Sequence, residues 1–220
     1  FEELGDEGKA TILLDMGALA TDLIVSEGGR IWSRPVPIGG NRFTEALVTA
    51  FKLSFKKAEH LKRNAATSKH ARQVFNAMRP VFADLVSEVQ RSIGFYTSTH
   101  RDAHITRVVG MGNAFKLPGL QKFLQQNLQI EVDRLGGFNK VAASAAQQSP
   151  AFTDNVMSFS VAYGLAVQGL GLGAVNSNLL PLEITKTVLW RKKQPWFAAA
   201  AACLVLTAVS VWVGNVLAKG

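Results

Sequence analysis

The sequence predicts an α/β domain followed by one membrane-spanning helix. Short apolar runs alternate with stretches of helical apolar periodicity between Ala10 and Gly169, a pattern typical of a layered α/β domain. Glycine-bearing turns close several of the runs. A charge-free apolar block extends from Trp196 to Leu217. The two patterns occupy different parts of the chain, so we expect two units.

Length and composition bound the interpretation. The 220 residues accommodate one ordinary domain plus a tail. The chain begins at Phe1 within acidic, glycine-bearing sequence, so we interpret residues 1–10 as a hinge from a missing N-terminal half. The lone Cys203 cannot form an internal disulfide, and the four histidines lack metal-ligand spacing.

The net charge of +8 admits two interpretations. It could mark a nucleic-acid binder or a cytoplasmic face held near anionic lipid headgroups. The sequence contains no Arg/Gly repeats, zinc-finger spacing or RNP-like aromatic segment, so the lipid interpretation is favoured and no nucleic-acid partner is expected.

Three apolar runs predict an antiparallel meander at the start of the domain. The strands are Ala10–Asp15, Thr21–Ser26 and Ile31–Ile38. Hairpin chemistry at Gly28-Gly29 joins the second strand to the third. Prolines in the third strand suit an edge position.

Helical periodicity follows the meander. Helices are predicted over Arg42–Phe51 and Ser54–Arg63. A longer apolar stripe runs from Val74 to Ile93, and we start its helix near Pro80, since proline suits the first helical position. That helix is expected to end near Gly94–Tyr96. The remaining predicted elements are the strand Ile105–Val109, a helix opening at Pro118-Gly-Leu120, the strand Ile130–Val132, a loop-rich stretch Gly136–Asp154 and the small-residue helix Ser158–Gly169.

The apolar block Trp196–Leu217 is long enough to cross about 30 Å of hydrocarbon as a helix. A buried soluble helix is the alternative, but such helices carry a polar stripe and this block does not. Arg191–Lys193 precede the block and Lys219 follows it, so the positive-inside rule places the preceding residues in the cytoplasm. We therefore predict a single-pass inner-membrane protein.

Three motifs could carry chemistry. Asp15-x-Gly17 with Thr21 could hold Mg²⁺ through water and let backbone N–H groups approach a phosphate, although such a turn is more often ordinary turn chemistry. Gly110-Met-Gly112-Asn113 joins a strand to a helix, a geometry that admits a flat ring or a phosphate. Glu59, Lys62 and Arg63 share one helix face, where a solvated ion pair is the alternative.

The order of these motifs resembles the actin/Hsp70/FtsA superfamily of ATPases. Asp15–Thr21 looks like the second phosphate motif, and Gly110–Asn113 looks like the adenosine motif. The helix Ala58–Arg63 is similar to the one whose Glu, Lys and Arg flank the nucleoside. Ser160–Ala166 resembles the second connect helix, and Gly39-Gly40 matches a glycine pair after the meander.

Within that superfamily the chain resembles the PilM family of type IV pilus assembly over about residues 10–172. The resemblance rests on Pro37–Asn41, Ala58–Lys62, Glu88–Tyr96 and Leu117–Leu120. It implies an α/β, actin-like (ribonuclease H-like) ATPase fold, C-terminal half, with ATP and Mg²⁺ as cofactors. Asp15 is implied as the catalytic and Mg²⁺-orienting acid. The implied cofactor-binding residues are Gly17, Thr21, Gly39, Gly40, Glu59, Lys62, Arg63, Gly110, Gly112 and Asn113. The family's first phosphate motif would lie upstream of Phe1, and Met111 departs from its usual glycine.

A second resemblance lies outside the actin-like region. Asn178-Leu179-Leu180-Pro181 resembles the N-terminal motif of PilN, which binds PilM and is followed by basic residues and a transmembrane helix. The same order here suggests a natural fusion, because a tether raises the effective concentration to about the mM range. A generic linker turn is the alternative. The predicted domains are 1–10 hinge, 11–172 actin-like subdomains, 173–195 linker, 196–217 transmembrane helix and 218–220 the start of a periplasmic part.

These expectations converge on an ATP-binding cytoplasmic scaffold of the type IV pilus, or a type II secretion-like, inner-membrane platform. Its expected partners are PilN/PilO-like proteins and the inner membrane, and homo-oligomerisation stays open. Turnover is expected to be slow at most. The rivals are an adaptor that has lost ATP, a sugar- or acetate-kinase-like enzyme, and an FtsA-like protein, against which the spanning helix counts.

Overall fold

A computed structural model describes residues 9–27, 29–138, 149–173 and 181–219. The chain separates into two compact units, Phe1–Ala174 and Val175–Gly220. The first unit contains a five-stranded mixed sheet with its helices, and the second contains one long helix.

The sheet has the strand order β3-β2-β1-β4-β5. Its strands are β1 (Ala10–Met16), β2 (Thr21–Glu27), β3 (Arg30–Val36), β4 (Ile105–Met111) and β5 (Glu131–Arg134). β1, β2 and β3 pair antiparallel, which confirms the predicted meander, with β3 at an edge. β4 pairs parallel with both β1 and β5. Gly28 of the predicted hairpin turn lies outside the described residues.

Seven α-helices are described. They are α1 (Gly40–Phe51), α2 (Phe55–Arg63), α3 (Ala71–Thr99), α4 (Leu120–Leu128), α5 (Pro150–Thr153), α6 (Ser160–Gly169) and α7 (Leu182–Leu217). Short 3₁₀ turns cover Asn113–Lys116 and Val156–Ser158. The predicted helices after the meander are therefore present, with small shifts at their ends except in α3.

The core lies between one sheet face and the helices. Ile12, Leu14 and Met16 alternate along β1 and are fully buried on that face. Phe82 of α3 is the centre of an aromatic cluster, since its ring centroid lies 5.0 Å from Phe43 of α1 and 5.5 Å from Phe123 of α4. Each such buried side chain contributes about 1.5–3 kcal/mol, so the cluster fixes the helical layer on the sheet.

Helix α3 starts earlier than the sequence analysis predicts. It begins at Ala71, and Pro80 lies inside it, so the start near Pro80 was wrong. It also continues past Gly94–Tyr96 to Thr99. Val74 and Met78 are buried in the first turns. Burying these two side chains offsets the roughly 3 kcal/mol that an interior proline costs a helix.

Helix α7 makes up nearly all of the described part of the second unit. It runs unbroken from Leu182 to Leu217 with Pro195 inside it, so residues 182–195, predicted as linker, are helical. Leu, Glu, Lys, Arg and Gln supply much of that stretch, and all are good helix formers. Its most apolar 18-residue window has a mean hydropathy of 2.1 and none of it is buried within the structure. By length and composition α7 is thus a candidate membrane span.

Gly110 provides a test of the packing between the sheet and the turn that follows β4. A Cβ at Gly110 would overlap the ring of Phe115, which is itself fully buried. We expect Gly110→Ala to destabilise the protein by about 1–3 kcal/mol through overpacking, measured as a lower thermal midpoint in detergent.

Gly94→Ala is the matched control. A Cβ at Gly94 in helix α3 meets nothing within 4 Å. This substitution should be neutral or stabilising by about 0.5–1 kcal/mol, because alanine is the better helix former. Equal midpoints for the two variants would contradict the packing argument.

Candidate functional site

The candidate site is built on the turn between β1 and β2, which we call the β1–β2 turn and define as residues 17–20. The Gly17 N–H closes it by donating to the Ala20 carbonyl at 3.0 Å. Ala18 and Leu19 are exposed at its tip. Within the described residues their N–H groups donate to no protein atom. The turn therefore presents two backbone donors to solvent.

The parallel pairing of β1 with β4 brings a second glycine turn to the same end of the sheet, where both strands terminate. Asp15 is paired with Met111, so Gly112 follows directly beside it. Gly112 has φ +82°, and a Cβ there would lie 2.7 Å from Asp15 Oδ1. Only glycine allows this approach and this backbone conformation. The Asp15 and Gly112 motifs are thus neighbours, although most of the unit separates them in sequence.

The glycine pair Gly39-Gly40 supports the β1–β2 turn from the start of α1. A Cβ at Gly39 would lie 2.6 Å from the backbone nitrogen of Ala20. The Gly40 N–H donates to the Gly17 carbonyl at 2.9 Å, and the Asn41 N–H donates to the Ala18 carbonyl at 2.8 Å. The turn therefore caps α1, and these two helix N–H groups are already used.

Glu59, Lys62 and Thr44 form a cluster beneath Gly40. Lys62 is only 7% exposed. Its Nζ lies 2.9 Å from the Gly40 carbonyl, 2.8 Å from Thr44 Oγ1 and 2.6 Å from Glu59 Oε2. An ammonium group has three donors, so all of those on Lys62 have partners inside the protein.

The outer end of this cluster reaches solvent. Arg63 Nε donates to Glu59 Oε1 at 2.9 Å, and the Arg63 side chain is 76% exposed. Burial by itself would raise the pKa of Glu59. Hydrogen bonds from Lys62, Thr44 and Arg63, together with the Lys62 charge, outweigh burial and lower this pKa to about 2. Glu59 is therefore ionised at neutral pH.

Asp15 has the opposite electrostatic environment. Burial, and then repulsion from Asp22, raise the pKa of the Asp15 carboxyl. Asp22 lies directly opposite on β2. Within the described residues no cation or hydrogen-bond donor compensates Asp15. Two carboxylates without a cation form a local negative pole, which a divalent ion would neutralise.

Other predicted residues have internal partners. Thr21 Oγ1 donates to the Ile38 carbonyl at 2.6 Å and is buried. Gly110 faces Phe115 in the core. Asn113 Oδ1 accepts a hydrogen bond from Ser158 Oγ at 2.8 Å. The roles proposed for these residues stay predictions.

The partner motif is described only at its last residue. Pro181 precedes the first turn of α7. Asn178, Leu179 and Leu180 lie outside the described residues.

Two contributors escaped the sequence analysis. Thr44 binds both Glu59 and Lys62, and its position four residues after Gly40 on α1 is the signal that could have indicated it. Asp22 would follow from the hairpin register, which sets it opposite Asp15. Among the described residues no group of three or more His, Cys, Asp or Glu forms a ready-made metal site.

Comparisons with known proteins identify the family and the fold of the first unit. A family model described as type IV pilus assembly protein PilM matches residues 2–170. A solved PilM-PilN type IV pilus biogenesis complex is 28% identical to the chain, covering 76% of it and 47% of the matched chain, with a TM-score of 0.63. The predicted α/β, actin-like fold is confirmed.

Two further solved structures are more distant. Ethanolamine utilization protein EutJ from Carboxydothermus hydrogenoformans is 25% identical, with coverage of 60% of this chain and 45% of that one and a TM-score of 0.49. MreB5 of Spiroplasma citri bound to ADP is 13% identical, with coverage of 71% and 55% and a TM-score of 0.46. The chain spans about half the length of the solved structures that it matches.

The raised pKa of Asp15 gives a testable pH dependence. Because the folded-state pKa lies above the ordinary value of 3.8, the unfolded state ionises first and stability falls as the pH rises through that range. We expect Asp15→Asn to raise the thermal midpoint at pH 7 without Mg²⁺, with the difference vanishing below about pH 3.8.

Asp133→Asn is the control for this experiment. The Asp133 carboxylate accepts a hydrogen bond from Arg107 at 2.8 Å, so its removal should lower or leave unchanged the midpoint at pH 7. A lower midpoint for Asp15→Asn at pH 7 would show that Asp15 has a stabilising partner instead.

Proposed function

The chain belongs to the family of type IV pilus assembly protein PilM, and on that basis we propose that it is an ATP-binding cytoplasmic scaffold of the inner-membrane assembly platform. Nucleotide occupancy would change the surface that binds partner proteins, as closure of subdomains about a ligand does in many switching proteins.

The observation that carries the nucleotide proposal is the meeting of the Asp15 and Gly112 turns at one sheet edge. Asp15 lies on β1 just before the β1–β2 turn, and among the described residues the Ala18 and Leu19 N–H groups of that turn have no protein partner. Mg²⁺ is usually bound by one or two carboxylates together with waters and the phosphates of a nucleotide. Backbone N–H groups in a turn cradle phosphate oxygens. The edge thus combines the groups that Mg²⁺-ATP requires.

The nucleoside would lie on the other side of Gly40, between α2 and the turn after β4. A Cβ at Gly40 would be 3.2 Å from Ala114 Cβ, so the start of α1 is in contact with the segment after β4, and α2 is joined to that start by the bond from Lys62 to the Gly40 carbonyl. The exposed Arg63 guanidinium offers a flat face for a base, and the ionised Glu59 can accept hydrogen bonds from ribose hydroxyls. This arrangement supports a bound adenosine rather than a free phosphate.

Chemistry at this site would be slow. Asp15 would hold Mg²⁺ through a water and so orient that water, which is a positioning role rather than strong base catalysis. ATP would then act chiefly through occupancy. The rival is an adaptor without ATP, which would share the partners and retain the glycine contacts as structure alone.

The partner proposal follows from the solved PilM-PilN complex. We propose that a PilN-like segment binds this domain and that PilO-like proteins act with it. The resemblance of Asn178–Pro181 to the PilN motif makes a same-chain segment the proposed occupant. Arg191–Lys193 precede the apolar block of α7, which supports an inner-membrane span with these residues in the cytoplasm.

Binding of Mg²⁺-ATP by the intact protein in nanodiscs tests the nucleotide proposal. Titration calorimetry should give a dissociation constant for ATP below about 1 mM. Asp15→Ala should weaken it by about tenfold or more when Mg²⁺ is present, because the ion loses its carboxylate.

Asp133→Ala, outside the site, should bind as the wild type does. Absence of wild-type binding at millimolar ATP with Mg²⁺ would remove the nucleotide proposal. Wild-type pilus assembly in an Asp15→Ala strain would favour the adaptor.

Cysteine labelling tests the membrane orientation. In a Cys203→Ala background, an impermeant maleimide should label Lys193→Cys in inverted membrane vesicles and Lys219→Cys in spheroplasts, since the two positions flank the apolar block. Labelling of both positions from the same side would show that α7 does not span.

A further inference from the structure

Gly40 contacts three parts of the candidate site. Its N–H donates to the Gly17 carbonyl at 2.9 Å, and its own carbonyl accepts from Lys62 Nζ at 2.9 Å and lies 3.2 Å from Thr44 Oγ1. Its Cα faces Ala114 in the segment after Gly112, where an added Cβ would be 3.2 Å away. Any displacement of Gly40 would therefore move the β1–β2 turn.

Lys62 is the group that fixes Gly40 from the interior. Its three donors are used by the Gly40 carbonyl, Thr44 Oγ1 and Glu59 Oε2, all at 2.9 Å or less. With 7% of its surface exposed, the ammonium has no free donor and little access for a ligand. A direct contact between Lys62 and a nucleotide would break one of these bonds.

Stability alone explains the position of Lys62 poorly. A buried ion pair adds little net stability, because desolvation offsets the attraction. The first turn of α1 is the positive end of its helix dipole, so a cation is disfavoured there. Glu59 compensates the charge of Lys62. Neither charge nor stability explains the hydrogen bond that Lys62 donates to the Gly40 carbonyl.

We propose that Lys62 is a positioning residue for phosphate binding: it holds Gly40, and through Gly40 it orients the Ala18 and Leu19 N–H groups of the β1–β2 turn. This inference rests on the proposed function and deepens it. The role of Lys62 differs from the roles that we propose for Glu59 and Arg63, which would contact the nucleoside. Lys62 would thus act on the phosphates of ATP without touching them.

Lys62→Met in the intact protein, in nanodiscs, tests this role. Methionine keeps much of the volume and loses the three donors. Affinity for Mg²⁺-ATP should fall by about tenfold or more, since hydrogen bonds to a charged group are worth at least that factor. Affinity for adenosine should fall by clearly less than affinity for ATP, because adenosine has no phosphates and loses only what Lys62 contributes through Glu59. An equal fall for both ligands, or no fall for either, would overturn the proposal.

Lys62→Arg distinguishes position from charge. Arginine keeps the positive charge, but its planar fork cannot reach the same three acceptors in this buried site. We expect the same ATP-specific loss as for Lys62→Met. Restored ATP affinity would mean that Lys62 acts through its charge on the phosphates, and the proposal would be wrong.

Amide hydrogen exchange provides a readout that does not need nucleotide. In both Lys62 variants, peptides covering residues 17–21 and 39–44 should exchange faster at the hydrogen-bonded amides of Gly17, Gly40 and Asn41, while β4 peptides at 105–111 stay protected. Unchanged exchange in the first two peptides would overturn the positioning role. If the wild type binds neither ATP nor adenosine, the proposed function fails, and the exchange data still decide whether Lys62 holds the turn.

Thr44→Val serves if both Lys62 variants fail to fold. It removes one of the three Lys62 acceptors at nearly constant volume. The expected result is a smaller loss, about threefold for ATP, that is again larger for ATP than for adenosine. An equal effect on adenosine and ATP, or on neither, would contradict the role assigned to Lys62.

Discussion

The parallel pairing of β1 with β4 is the constraint on which the rest of the first unit depends. It sets Asp15 beside Met111, so two turns that are remote in sequence end at one edge. Gly112 then lies so close to Asp15 that no side chain fits between them. The α1 to α3 helices intervene between these strands in sequence and cover the sheet face below them. A shift of register would separate the two turns and remove the site.

The site contains two groups of charged side chains, one in which the charges are paired and one in which they are not. Lys62 and Glu59 satisfy each other in the interior, and Glu59 stays ionised because three donors surround it. Asp15 and Asp22 face each other without a cation among the described residues. Lys62 and Glu59 hold the backbone at Gly40, and Asp15 with Asp22 is suited to a divalent ion. Backbone support and the proposed ion binding thus depend on different residues of one small region.

Much of the fold and the location of the site could be predicted from the sequence, because local signals agree there. Apolar runs and glycine turns define the meander, and the motifs at Gly17 and Gly112 are short and local. The start of α3 could not, since burial of Val74 and Met78 outweighs the local effect of Pro80. The family resemblance implied Lys62 as a cofactor-binding residue, and only the tertiary structure shows that its donors are used internally.

Helix α7 is longer than a bilayer requires. Its 36 residues measure about 54 Å at 1.5 Å per residue, against about 30 Å of hydrocarbon. With its apolar block in the bilayer, the surplus at its N-terminal end would stand in the headgroup region and beyond, carrying Trp190 and the basic residues. Pro195 lies where this extension meets the apolar block, and an interior proline lacks the N–H that would bond the carbonyl four residues earlier. The helix would therefore bend most easily at this point, so that the extension would change its tilt while the apolar block keeps its place in the bilayer.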